Sequence, residues 1–459
     1  MTCKIKIYLW LLLSFSSSAL WAAKLSGHVA NYRGQELKIY RITNFITGEK
    51  EVLDACTVSP DDKYTFSFSA SATQIYCIDL GRIRAQIILE PEQELSIDLP
   101  DYAPISKLEL LNPYFSQEKI LLYTEDKNDL NHQLMSIELA FSQQLTRLQK
   151  SVNPQVTARS AIDSMTLLSS QLSSDFLKIY LDYSCSFFHQ LTQPENTSLI
   201  KKKYFKTREP HIDNPAFTQL FSSEYENPFI APDGRFHQEV SQAIISDELP
   251  ADFIQQVAQT HHIEKNDMAA LLAVKGFYDA AQYAPNYQAN ITHLMHQLET
   301  QIPAQNIKDL CRTSREKIEK LMVGNPAPYY ELYTPKGKKV PTVLKRRYVL
   351  LAFVNTNLIE CQRHLQLLEH YKKQYKRQVE IVVVAVHQDR EELERFLRRN
   401  DFDKLYFTLW DNNEALIDDY DVKALPRYFL IGKDGNFIYS PLSSPEEHMQ
   451  EELEAVIGS

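Results

Sequence analysis

The stretch that most constrains what this chain can fold into lies near its C-terminal end: Val349-Leu350-Leu351-Ala352-Phe353-Val354-Asn355-Thr356-Asn357-Leu358-Ile359-Glu360-Cys361-Gln362. It opens as an unbroken apolar run, the pattern of a strand buried on both faces. A polar elbow follows, and beyond it Leu365, Leu368 and Tyr375 fall on one side of a helical pattern. Strand, elbow and helix in that order form the setting in which an α/β fold presents a reactive group at a helix N-terminus.

The surrounding residues extend the pattern. Val323-Gly324-Asn325-Pro326-Ala327-Pro328-Tyr329-Tyr330-Glu331-Leu332 leads to a turn at Lys336-Gly337-Lys338. After the helix predicted over 360–376 come a very apolar strand over 379–386 and a Glu/Arg-rich helix over 389–399. A short helix over 416–421 precedes Val422-Lys423-Ala424-Leu425-Pro426-Arg427-Tyr428-Phe429-Leu430-Ile431, and Lys433-Asp434-Gly435-Asn436 reads as a hairpin turn. This succession resembles the thioredoxin fold of the exported TlpA/ResA-like branch. That branch typically reads apolar strand, Phe-Trp-Ala-Thr-Trp-Cys-x-x-Cys, helix, and later a strand opened by a cis-proline. Phe353 and Thr356 match, and Cys361 falls on the second cysteine. Leu358 takes the place of the attacking cysteine, and Val354 and Asn357 replace the two tryptophans.

The resemblance implies a chemistry that needs two sulfurs. A thiolate at the helix N-terminus attacks a disulfide, and a second thiol about one turn along resolves the mixed disulfide. Leu358 cannot ionise, so the two-cysteine cycle is expected to be absent, and peroxidase chemistry lacks its nucleophile at the same place. Two readings of Cys361 remain. As a buried thiol it is inert, and Glu360 beside it raises its pKa. As a monothiol it forms one mixed disulfide, alone or with Cys311 or Cys185 brought near. Leu425, before Pro426, is the residue whose backbone the family offers to an extended peptide. The expected peptide-binding residues are therefore Leu425 and Pro426, with Cys361 catalytic only if monothiol activity exists.

The front of the chain has a different rhythm. Residues 24–105 carry short β-branched and aromatic segments at 25–30, 36–42, 51–58, 64–68, 74–80, 84–90 and 94–99, with Ser59-Pro60-Asp61-Asp62-Lys63 as a hairpin connection. They predict a small β-sandwich-like domain. Residues 106–320 change to helical spacing, as in Leu130, Leu134, Ile137, Phe141 and Leu145, with Asp129 as a cap. Further helices are expected at 235–247, 250–261, 267–283, 287–301 and 304–321, and 190–235 reads as loops with short helices. This front half resembles the β-domain and helical region that precede thioredoxin modules in many exported Bacteroidetes proteins. The expected class is thus α+β multidomain: a β-sandwich-like domain at 24–105, a helical region at 106–320, and a C-terminal α/β thioredoxin-like domain at 321–459.

Residues 1–23 read as a secretory signal, with Lys4 and Lys6, the apolar 7–13, and small residues at Ala22-Ala23. No cysteine follows the apolar core, so a soluble periplasmic product without lipid anchor or membrane span is expected. A net charge of −10 with no long basic block argues against nucleic-acid partners. Only 11 glycines leave little room for Gly-rich phosphate loops. The six cysteines are Cys3, Cys56, Cys77, Cys185, Cys311 and Cys361. None is spaced as CxxC, so no zinc site is expected, and pairing of Cys56 with Cys77 stays open. His293 and His296 lack a carboxylate at a familiar spacing, so neither a metal nor a cofactor is expected. The expected partner is an exported polypeptide or envelope protein.

Overall fold

The computed structural model describes residues 22–457, apart from 113, 231–233, 401, 403 and 412. The expected signal lies almost wholly outside the described residues. The chain divides into two compact units, one of residues 22–104, 116–230 and 252–275, the other of 105–115, 234–251 and 276–457.

The first unit begins with seven strands: β1 (Ala22–His28), β2 (Glu36–Asn44), β3 (Glu49–Thr57), β4 (Lys63–Ser69), β5 (Gln74–Leu80), β6 (Ile83–Leu89) and β7 (Glu94–Ser96). An eighth, β8 (Glu118–Leu121), completes two sheets of order β4-β1-β7 and β3-β2-β5-β6-β8. Period-two alternation writes this arrangement. In β4, Tyr64, Phe66 and Phe68 are buried while the residues between them are exposed. They meet Ile39, Tyr76, Ile78 and Ile87 of the larger sheet in one core. The hairpin expected at 59–63 is closed by Ser59, whose Oγ accepts from Lys63 N at 2.9 Å. Ala22 and Ala23 already pair with Ser69 and Phe68, and Ala23 is fully buried. Cleavage after Ala23 would remove both rungs.

Two corrections concern the region expected to be helical from 106 onward. β8 joins the larger sheet, parallel to β6; four residues are too few for alternation to announce a strand. The helix Pro154–Ser169 was not anticipated, because its buried face is Ala158, Ala161 and Met165, small residues that give little hydropathy contrast. The expected helix from residue 130 runs Leu130–Gln149, and the Asp129 carboxylate accepts from Asn131 N at 2.8 Å. Leu130, Leu134 and Ile137 pack with Ile88, on the opposite side of β6 from the sheet core. Asn131 fixes the register: its side chain accepts from Ile88 N at 2.7 Å and donates to Ile88 O at 2.9 Å.

The second unit holds a seven-stranded sheet of β9 (Glu331–Tyr333), β10 (Lys339–Pro341), β11 (Tyr348–Val354), β12 (Val379–Ala385), β13 (Tyr406–Leu409), β14 (Arg427–Ile431) and β15 (Phe437–Tyr439). Its order is β10-β9-β13-β12-β11-β14-β15, with β11 parallel to β12 and antiparallel to β14. The apolar run makes β11 a central strand, as expected. Leu350, Ala352 and Val354 face a core shared with Cys361, Leu365 and Leu368 of the helix Ile359–Tyr375. Val349, Leu351 and Phe353 face a second core with Tyr420 and Phe429. β13 and the last helix, Met449–Ile457, were not anticipated. The helices Gln288–Gln301 and Gln305–Glu319 belong to this unit, and Lys320, just past the second, bridges to Asp419 at 2.5 Å. No described helix is long and apolar enough to cross a membrane.

Candidate functional site: the elbow after β11

The chain leaves β11 at Val354 and enters the helix Ile359–Tyr375 through four residues braced from β12's side. Asn355, buried, donates through Nδ2 to Val386 O at 2.8 Å and accepts from Asn357 N at 2.9 Å. Thr356, also buried, gives its N–H to Gln388 Oε1 at 2.7 Å and receives Gln388 Nε2 on its hydroxyl at 2.6 Å. Gln362, one turn into the helix, donates to Thr356 O at 2.7 Å. The elbow thus leaves few of its polar groups unmatched, the condition for a fixed loop conformation at a strand end.

Leu358 is the helix N-cap residue, extended at φ −85 and ψ 127, and its side chain offers no cap hydrogen bond. It packs half-buried against the cluster that contains Cys361, while Ile359 stands 78% exposed. Cys361 is fully buried. Burial pushes its thiol up to about 11; a backbone hydrogen bond at Asn355 partly offsets this, and the Glu360 carboxylate adds a smaller rise. At pH 7 that leaves roughly one thiolate in ten thousand. The peptide bond Leu425–Pro426 is cis, immediately before β14. Leu358 and Leu425 both pack against the core cluster that contains Cys361. Among the described residues neither N–H nor C=O of Leu425 makes a hydrogen bond.

A family model described as "Thioredoxin-like" matches residues 346–437. Thiol-disulfide oxidoreductase ResA of Bacillus cereus is 28% identical over 141 residues, 30% of this chain and 79% of that protein. ResA of Bacillus subtilis is 29% identical over 122 residues, 26% of this chain and 67% of that protein. The C-terminal region is thioredoxin-like, of the ResA type. Among solved structures, a thiol-disulfide oxidoreductase from Bacteroides fragilis covers 29% of this chain and 99% of that one, at 19% identity and a TM-score of 0.27.

The thioredoxin-like domain also contains polar residues near Cys361 that the sequence did not single out. His364, buried and one turn after Cys361, holds its Nδ1 2.8 Å from the Tyr428 hydroxyl, and its Nε2 lies 3.6 Å from Glu446. Arg363 grips Glu446 with two contacts of 2.8 and 2.9 Å. Burial raises the Tyr428 pKa, and the nearby Cys361, Glu360 and Glu446 raise it further, so the phenol stays protonated. The i, i+3 spacing of Cys361 and His364 was the available signal. Tyr428 and Glu446 are distant in sequence and gave none.

The other cysteines do not extend the site. Cys56, Cys77, Cys185, Cys311 and Cys361 are all free thiols. Cys56 pairs across from Leu37 and Cys77 from Tyr40, on opposite flanks of β2. Two strand spacings and a three-residue offset separate their Cα atoms by about 14 Å, twice what a disulfide spans. Burial raises the thiols of Cys185 and Cys311 to about 12. Among the described residues no group of three or more His, Cys, Asp or Glu could hold a metal ion. His293 instead meets Asp247 at 2.8 Å.

Proposed function

We propose that this is an exported, periplasmic thioredoxin-like protein that has lost two-cysteine disulfide exchange and binds an extended polypeptide or envelope component beside its elbow. One observation carries the reading: the thiol at the elbow, Cys361, is fully buried and held protonated by that burial. A buried thiol with so little thiolate is a poor nucleophile. The exposed Ile359, the half-buried Leu358, and the uncommitted backbone of Leu425 beside Pro426 supply what strand addition needs, main-chain partners flanked by apolar surface.

The activity of the ResA relatives motivates a second reading, a thiol-disulfide oxidoreductase working through Cys361 alone. Insulin reduction in dithiothreitol separates the two. The first reading expects wild type and Cys361→Ala both to match the buffer rate. Reduction by wild type that disappears in Cys361→Ala would establish the second and end the first. Binding is tested with a fluorescein-labelled extended peptide, whose affinity should fall on Ile359→Glu; an unchanged affinity removes the elbow as the binding surface.

A further inference from the structure

The first unit contains a cleft of about 580 Å³ between the helix-facing side of the larger sheet and the helices laid against it. That volume lies within the range of ligand sites. Lys119 and Leu121 of β8 line one side, and Glu138, Phe141, Tyr180 and Phe187 contribute to the other.

β8 is the last strand of its sheet. Glu118 N donates to Arg82 O and Leu122 N to Gln86 O, so alternate residues beginning at Glu118 face β6. The N–H and C=O of Lys119 and Leu121 therefore point outward, and among the described residues they have no backbone partner. An unpaired edge of this kind is a template for another strand. Here the two residues that carry the free edge also line the cleft.

The opposite wall has a defined charge. Glu138 accepts from the Tyr180 hydroxyl at 2.8 Å, which orients its carboxylate. The rings of Phe141, Tyr180 and Phe187 line the same space, and Phe187 is left 48% exposed. A carboxylate among aromatic faces suits a guanidinium or an ammonium group. The chain's net charge of −10 favours encounter with a basic partner. Lys119 is exposed, and its long stem lets the ammonium turn to water while its backbone pairs.

We propose that the edge of β8 and this cleft bind an extended basic polypeptide segment, pairing its backbone with Lys119 and Leu121 and seating an arginine or lysine side chain against Glu138 and the rings. The site is separate from the elbow and stands or falls independently of it.

The test uses the full chain and a fluorescein-labelled peptide, Thr-Val-Thr-Arg-Thr-Val-Thr, with a twin carrying glutamate in place of arginine, read by fluorescence anisotropy. The arginine peptide should bind saturably and the glutamate twin at least about tenfold more weakly. Glu138→Gln keeps the shape of the wall and should weaken the arginine peptide about tenfold. Lys119→Pro removes an outward N–H that the sheet does not use, and should weaken it too, although it also removes a positive charge. No saturable binding up to about 1 mM, equal binding by wild type and Glu138→Gln, or loss on Ile359→Glu instead would each overturn the proposal, the last by placing the probe at the elbow.

Discussion

Leu358→Cys tests the account of the elbow most directly. It puts a thiol at the N-cap of a 17-residue helix, three positions before Cys361. Helix N-termini lower thiol pKa values to at most about 7.5, because first-turn N–H groups and the helix dipole favour the thiolate. Glu360 opposes this, so the expected midpoint is about 7 to 7.5. At pH 7 the thiolate fraction would then be about a quarter to a half, against roughly one in ten thousand for Cys361 now, a gain of more than about a thousandfold. The lost packing of a half-buried leucine should destabilise the fold by about 1 kcal/mol, which the braces at Asn355 and Thr356 can absorb without rearranging. Iodoacetamide labelling across pH, with mass spectrometry to locate each adduct, reads the midpoint. Insulin reduction reads the restored exchange, and a mass loss of two hydrogens on oxidation reads the new disulfide. If the introduced thiol labels with a midpoint at or above about 8.5, the free-thiol value, the elbow does not present a helix N-terminus to its N-cap side chain. If it labels readily but forms no disulfide with Cys361, the two positions are not placed as the resemblance requires.

Other consequences follow from the same geometry. In wild type, Cys361 should label only after denaturation or as pH approaches about 11; rapid labelling at pH 8 would contradict its burial. Because folding raises that pKa, the stabilising effect of the neutral thiol is complete below about pH 8.5 and is lost as pH rises toward 11. Urea denaturation should therefore show a loss of about 3 kcal/mol across that window in wild type beyond that in Cys361→Ala. Gln388→Ala strips both hydrogen bonds from the buried Thr356 and should cost about 2 to 4 kcal/mol in urea melts. Gln388→Glu keeps an acceptor for Thr356 N–H and lacks the donor to its hydroxyl only while ionised, so it should be the less damaged of the two in urea melts at low pH, where the protonated carboxyl donates again.

The parts of this fold that were legible were those whose signal is local. β11 announced itself because both of its faces are buried, and the helix after it because Leu365 and Leu368 recur on one side. Six front strands were legible as short β-branched and aromatic segments between turn residues, with burial alternating cleanly in β4 at Tyr64, Phe66 and Phe68, and β7 was found with a longer reach than its three residues. β8 and β13 were not, because four residues bounded by polar or aromatic neighbours carry too short a pattern. The helix Pro154–Ser169 was hidden by an alanine face. At the site, Leu358, Cys361, Leu425 and Pro426 were readable from order along the chain. Gln388 was not, although it holds Thr356, because an exposed-looking Gln in a loop becomes a buried brace only once β12 lies beside β11. The His364, Tyr428 and Glu446 group was missed for the same reason: its members come from three separate segments.

The brace around the elbow has one more implication. Asn355, Thr356, Gln362 and Gln388 hold it with amides, a hydroxyl and backbone groups, none of which titrates or changes oxidation state in water near neutral pH. A dithiol at this place would make the loop respond to its surroundings, closing and opening as sulfur is oxidised and reduced. Here the loop has no such variable. The brace therefore holds Leu358 and Ile359 in the same conformation in reducing and oxidising media and near neutral pH.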